Sequence, residues 1–188
     1  CYTDIYNNYL ESIRLEKLKF LEIGVRLGSS IKMWSEYFPN SEIVGVDIDP
    51  SCKQYEKDNI KIEIGSQEDE KFLSYLISKY QYFDIVLDDG SHINDMIIKS
   101  FNVLSKVTKR FYMIEDLRNS YEDLTEDILS WPGMSLNLNL NPKNNITRSN
   151  FNDKFLSLIK SMDYRTGHYR GIYFHPQILI LENCRYST

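Results

Sequence analysis

Long apolar runs are missing from this chain: nowhere in its 188 residues do hydrophobic side chains continue for the ~20 positions that a membrane-spanning helix needs. A membrane span is therefore not expected. Cysteine is scarce as well. Cys1, Cys52 and Cys184 are odd in number, widely scattered and lack metal-ligand spacing, which argues against a disulfide framework or a zinc cluster and for reduced thiols in a cytoplasmic protein. Positive charge is in deficit, with 22 Lys and Arg against 27 Asp and Glu, a net charge of −5 and a pI near 5.3. That balance opposes the basic footprint of a nucleic-acid binder. No internal repeat or signal peptide is evident, and no initiator methionine precedes Cys1-Tyr2-Thr3, which leaves room for a preceding segment or neighbouring domain. What is present, 42% hydrophobic residues over this length, suits one sizeable core and a single domain spanning 1–188. The 14 tyrosines and 9 phenylalanines suit a stacking surface for a sugar or an aromatic ligand, although background composition accounts for them equally well.

Strand-like and helix-like segments alternate, the pattern of an α/β chain. Tyr6 to Leu18 has helical spacing of apolar residues and leads into the apolar run Phe20 to Val25. Ile31, Trp34 and Phe38 suit a helix ending before Pro39. Ile43 to Val46 and Ile60 to Ile64 read as strands, and Phe72, Leu76 and Tyr80 share one helical face. Phe83 to Leu87 and Phe111 to Ile114 read as buried parallel strands, with Ile93, Met96, Ile97, Phe101 and Leu104 on the helix between them. The signal weakens over Asn119 to Leu140, around Trp131-Pro132-Gly133, where insertion and acceptor contacts are expected. Phe151 to Met162 then reads as a helix. Gly171 to Phe174, the turn His175-Pro176-Gln177 and Ile178 to Leu181 form a tight hairpin, so one of its strands must run against the otherwise parallel sheet.

Two acidic clusters, Asp88-Asp89-Gly90-Ser91-His92 and Glu115-Asp116, each follow one of the buried strands. A strand, helix, strand unit aligns those ends on one edge. Neighbouring strands lie about 4.8 Å apart, so Asp89, Glu115 and Asp116 can converge on one hard cation. The plainer alternative is that acidic residues end two strands and cap the segments after them.

A second motif, Glu22-Ile23-Gly24-Val25-Arg26-Leu27-Gly28-Ser29-Ser30, is a glycine-bearing turn entering a helix. Its glycines allow a ligand to approach the backbone, and the helix start, with Ser29 as a donor or a cap, favours an anionic group. Any tight strand-to-helix turn can also use glycine. Asp47 ends the next strand, about 20 residues on, where a carboxylate suits ribose hydroxyls.

Together these residues resemble the class I S-adenosylmethionine-dependent methyltransferases. Glu22-x-Gly24-x-x-x-Gly28 is similar to that family's first motif, Asp47 to its ribose acid, and Gly65-Ser66-Gln67 to its adenine-contacting turn. More narrowly, Leu21-Glu22-Ile23-Gly24-Val25, Trp34 with Tyr37-Phe38-Pro39-Asn40, Val46-Asp47-Ile48-Asp49, Asp88-Asp89-Gly90-Ser91-His92 and Ile114-Glu115-Asp116-Leu117 resemble the metal-dependent sugar O-methyltransferases of the mycinamicin and macrocin type. The resemblance implies a Rossmann-like, doubly wound, mostly parallel seven-stranded sheet with a C-terminal antiparallel hairpin. It implies S-adenosyl-L-methionine as cofactor, held by Glu22, Gly24, Gly28, Ser29, Asp47, Ser66, Gln67 and, on the cofactor side of its cluster, Asp88. Asp89, Glu115 and Asp116 become ligands of Mg²⁺ or Mn²⁺, and His92, with Asp89, the catalytic group as general base. The implied partner is a small-molecule or glycan acceptor, with homo-oligomerisation or neighbouring domains as further partners. For Tyr2 and Tyr6 two roles are open, lining the cofactor and, more simply, packing their helix. For His168 and His175 a structural role is expected.

An alcohol near pKa ~15.7 costs about 12 kcal/mol to ionise fully at pH 7, whereas a general base supplies roughly 3 to 5 kcal/mol. A Lewis acid is therefore a fitting companion to His92. Other readings stay open: a catechol acceptor, a nicotinamide dehydrogenase, which would instead predict G-x-G-x-x-G, and a non-catalytic methyltransferase-like module.

Overall fold

Alternation of side chains along each strand decides which face of the sheet an apolar residue covers, and here both faces are covered. The computed structural model describes residues 2–117, 148–163 and 168–184. Among these, seven strands form one sheet: β1 Lys19–Ile23, β2 Glu42–Asp47, β3 Ile60–Ile64, β4 Phe83–Asp88, β5 Thr108–Ile114, β6 Tyr169–His175 and β7 Ile178–Asn183. The helices are α1 Tyr2–Leu10, α2 Ser29–Tyr37, α3 Glu70–Tyr80, α4 Asn94–Leu104 and α5 Arg148–Asp163. Phe20, Ile85, Leu87, Phe111, Met113, Ile178 and Ile180 face the side covered by α1 and α2, with Tyr6, Leu10, Trp34 and Phe38. Their neighbours Leu21, Val86, Tyr112, Ile114, Leu179 and Leu181 face Leu73, Leu76, Ile97, Phe101 and Phe155 of α3, α4 and α5.

The strand order is β3-β2-β1-β4-β5-β7-β6. β1 to β5 pair in parallel, and β7 runs antiparallel to both β5 and β6, as the tight hairpin requires. This is the expected doubly wound, Rossmann-like sheet. Because the chain winds outward from β1 to β3 and then returns to β4, the order reverses between β1 and β4, and a crevice opens beyond their carboxyl ends.

Most boundaries agree with the sequence to within a few residues, and β3 agrees fully. The first helix does not. It ends at Leu10, with a short 3₁₀ turn over Glu11–Ile13, rather than running to Leu18. Leu18 is already tied to the sheet edge, since its N–H donates to Ser41 Oγ and its carbonyl accepts from Glu42 N–H. Further on, α3 starts where Asp69 accepts from the Lys71 and Phe72 amides. The stretch Asn119 to Leu140, where acceptor contacts were expected, lies outside the described residues.

Candidate active site

The turn after β1 forms one wall of a cleft of about 600 Å³ at the β1/β4 switch point. Gly24 sits at φ +97°, and a Cβ there would lie 2.2 Å from the Asp89 carbonyl oxygen. Only glycine lets the β1 turn pack this closely against the β4 turn. Asp47 organises the same wall from the end of β2. Its Oδ2 accepts from Val25 N–H at 2.9 Å and Arg26 N–H at 2.8 Å, and its Oδ1 from Asp49 N–H at 2.9 Å. A carboxylate has about four lone-pair sites, so capacity for hydroxyl donors remains. Gly28, at φ +72°, caps α2, and Ser29 opens that helix toward the cleft.

Gln67 forms part of the opposite wall. Its Oε1 accepts from Ser91 N–H at 2.7 Å while its Nε2 donates to Asp88 at 3.1 Å, and Ser100 Oγ donates to Asp88 Oδ2 at 2.7 Å. Asp88 therefore faces α4, not the cleft. Strand parity is the reason: Asp88 still pairs with Ile114 and shares the face of Val86. Glu22 likewise shares the parity of Phe20 and is fully buried toward Trp34 and Ser30. Of the residues expected to hold the cofactor, Gly24, Ser29, Asp47, Ser66 and Gln67 line the cleft, whereas Glu22, Gly28 and Asp88 stand behind its wall. For Glu22 and Asp88 direct contact is corrected to support of the turns. Asp88 is pushed up to about 6 by burial, with Ser100 and Gln67 opposing.

Beyond β4 and β5 the backbone stays tied, Asp89 N–H donating to Ile23 O and Glu115 N–H to Asp88 O, both at 3.0 Å. The two acidic turns are thus held side by side. His92 Nε2 lies 3.8 Å from Asp89 Oδ1 and 3.7 Å from Asp116 Oδ2, and the ligand atoms of these three residues fall within 4.8 Å of one another. His92 and Asp116 adopt left-handed backbone, φ 57° and 52°, as does Arg26 at 48°, and all three line the cleft. Such strain persists where surrounding structure over-determines it, and it collects at functional sites. Glu115 does not line the cleft; its carboxylate accepts from the Tyr6 hydroxyl, while Tyr2 donates to Asp116 Oδ1 at 2.6 Å.

Burial, followed by Glu115, Glu22 and Asp116, pushes Asp89 up to about 9. Burial raises Glu115 to about 7, with Tyr6 opposing. Burial lowers His92 despite Asp116, so the imidazole is neutral and able to accept a proton. Crowded carboxylates with a neutral imidazole among them fit a hard divalent cation, whose charge would relieve the repulsion. The cleft in turn fits an adenosine cofactor: an acid at the end of β2 with acceptor capacity to spare, and a helix start at Ser29 that lines it.

The tyrosine donors were not foreseen, since Tyr6 and Glu115 lie 109 residues apart in sequence. Their only sequence signal is the four-residue spacing of Tyr2 and Tyr6. His175 meets the Tyr9 hydroxyl at 2.9 Å on the hairpin and takes no part in the cleft.

No protein-family model matches the chain. It is similar to the L-olivosyl-oleandolide 3-O-methyltransferase of Streptomyces antibioticus, 33% identical over 141 residues, covering 70% of this chain and 34% of that protein. It is also similar to the mycinamicin VI 2''-O-methyltransferase of Micromonospora griseorubida, 34% identical over 143 residues, 70% of this chain and 33% of that one. Among solved structures, the MycE methyltransferase in complex with Mg, SAH and mycinamycin VI superposes with a TM-score of 0.77 at 28% identity, covering 98% of this chain and 50% of that chain. The chain thus spans about a third of the length of these curated relatives. The resemblance drawn from the motifs is the one these comparisons return.

Proposed function

We propose that this chain is the methyl-transferring part of an S-adenosylmethionine-dependent, divalent-metal-assisted O-methyltransferase that acts on a deoxysugar hydroxyl of a glycoside or glycan. The observation that carries the reading is the meeting of Asp89, His92 and Asp116 on the lining of a cleft that Gly24, Asp47 and Gln67 also line. The similarity to macrolide sugar O-methyltransferases supports the acceptor class.

Asp89, Glu115 and Asp116 would hold Mg²⁺ or Mn²⁺, whose Lewis acidity, when bound, would favour alkoxide character on the acceptor oxygen. S-adenosylmethionine would supply a methyl group on a positively charged sulfonium, and its departing thioether is neutral, so no residue needs to act as an acid. Asp47 would accept from the ribose hydroxyls, and Ser66 and Gln67 would border the adenine. His92 takes the hydroxyl proton at Nε2. Its burial keeps that nitrogen unprotonated at neutral pH, and the Asp116 carboxylate, 3.7 Å away, stabilises the imidazolium that results. His92, left-handed in backbone, lines the cleft beside Asp89 and Asp116. A cytoplasmic setting belongs to this proposal; among the described residues no helix is long and apolar enough to cross a membrane.

Calorimetric titration with S-adenosylhomocysteine in the presence of Mg²⁺ tests the cofactor, with one-site binding expected. Methyl transfer to a panel of deoxysugar glycosides, with and without chelator, then tests acceptor and metal together. A folded protein that binds no S-adenosylhomocysteine would falsify the reading.

A further inference from the structure

Glu115 and Asp116 are neighbours in the chain, yet each meets a different tyrosine of one helix. Tyr6 donates to Glu115 Oε1 and Tyr2 to Asp116 Oδ1. Residues four apart share a helical face, so both phenols of α1 face the end of β5. Tyr6 is fixed there. It is 5% exposed, its ring meets Trp34 edge-on at 5.1 Å and 74°, and the fully buried Leu10 anchors the same helix. A phenylalanine would fill the same space, so packing alone does not account for the hydroxyl.

We propose that Tyr6 is a positioning residue of the cation site, its phenol holding the Glu115 carboxylate in one orientation beside Asp89. The inference rests on the metal-assisted reading above. A carboxylate that accepts one phenol proton keeps lone pairs for a cation, and the donor fixes where they point. Glu115 N–H donates to the Asp88 carbonyl at 3.0 Å, which seats the β5 turn next to Asp89, and Asp116 after it joins Asp89 and His92, so an unanchored Glu115 would blur the donor set. Tyr2 holds Asp116 in the same manner but more loosely. Its hydroxyl lies at the exposed side of the site and also comes within 3.4 Å of Gln177 Oε1.

The test is Mn²⁺ binding followed by electron paramagnetic resonance of the free ion, on wild type, Tyr6→Phe, Tyr2→Phe, Glu115→Gln and the Tyr6→Phe/Glu115→Gln double variant. Melting temperature and metal-free S-adenosylhomocysteine affinity are measured alongside. Tyr6→Phe is expected to weaken Mn²⁺ binding by about 10- to 100-fold, the usual range for a donor to a metal ligand, and Tyr2→Phe by less. S-adenosylhomocysteine affinity is expected to hold. The double variant should bind no more weakly than Glu115→Gln alone, because Tyr6 acts through Glu115. Unchanged Mn²⁺ affinity in Tyr6→Phe overturns the proposal. So does a double variant that loses the full additional factor, since Tyr6 would then act through the fold. A wild-type protein that binds S-adenosylhomocysteine but no Mn²⁺ overturns the metal reading itself, and the wild-type titration alone separates that outcome from the other two.

Discussion

Glu63 and Glu22 are both glutamates buried in strands of one sheet, and their carboxyls shift in opposite directions. Burial alone would raise Glu63. Lys79 Nζ at 2.7 Å, with the Tyr80 and Tyr75 hydroxyls at 2.6 and 3.1 Å, outweighs burial and holds it below the usual carboxylate range. Glu22 is pushed up to about 8 by burial, with Ser30 and Trp34 opposing only in part and Glu115 and Asp47 adding repulsion. Asp89, further along the same edge, shows the same imbalance. The β3–α3 cluster is electrostatically complete: one ammonium and two phenols satisfy one carboxylate. At the cleft several carboxylates crowd together around a neutral imidazole. Buried charge without a partner is costly, so the second arrangement suits a cation brought from outside, and the first needs none.

The largest test of that contrast is chemical. The cleft cluster contains a base, and the Glu63 cluster does not. His92→Ala is expected to reduce methyl transfer by about 10² to 10⁴-fold while S-adenosylhomocysteine still binds, read by single-turnover assay and calorimetry. Activity near wild type would remove His92 from the chemistry, and the cleft acids would then have no more claim to catalysis than Glu63.

Stability against pH separates the two glutamates directly. Glu22 has a folded pKa near 8 against an ordinary 4.5, so between those values the native state binds more protons than the unfolded one. Stability must then fall as pH rises through that window. Glu22→Gln should match wild type near pH 4 and exceed it above pH 8, by up to about 5 kcal/mol at roughly 1.36 kcal/mol per unit. Glu63, with its pKa lowered, contributes in the opposite sense, its stabilisation vanishing as pH falls through its folded value. Urea denaturation of Glu22→Gln and wild type across pH 4 to 9 reads the difference, and parallel curves would refute it.

A cation should act on one cluster only. Mg²⁺ or Mn²⁺ at 100 times its dissociation constant would stabilise the folded chain by about 2.7 kcal/mol, roughly 5 to 10 °C in melting temperature for a domain of this size. Chelator should reverse the gain, Asp89→Asn should abolish it, and Lys79→Met should leave it intact. An equal gain in Asp89→Asn would place the ion elsewhere.

How much of this was legible in advance depends on whether the information is local. β3 was legible because Ile60, Ile62 and Ile64 lie in a short, well-bounded run, and the end of β5 was legible from Phe111 to Ile114, although its start at Thr108 hides among polar residues. Asp89, His92 and Asp116 could be named because each comes within a few residues of the end of a buried strand. The inward aim of Asp88 and Glu22 was latent in the strand alternation, since each shares parity with a core residue, Val86 and Phe20. The phenol donors were not legible. The helix face that carries Tyr2 and Tyr6 reaches Glu115 and Asp116 only through the tertiary packing of α1 against Trp34.

The smallest expected effect lies in the complete cluster. Lys79→Met leaves Glu63 with two phenol donors and no ammonium. The Lys79 side chain is 47% exposed, so solvent screens much of the pair, and about 1 kcal/mol of destabilisation at pH 7 is expected, near the upper end for a half-exposed ion pair. The loss should shrink as pH falls through the folded pKa of Glu63, because a protonated carboxyl no longer distinguishes ammonium from methyl. It should also be indifferent to Mg²⁺. Urea denaturation at pH 7 and at pH 3, with and without Mg²⁺, measures both properties. A metal-dependent loss in Lys79→Met would couple the two clusters and undo the contrast, whereas a metal-independent loss confined to neutral pH would leave Glu63 as the sheet's self-contained carboxylate and the cleft acids as those that require a cation.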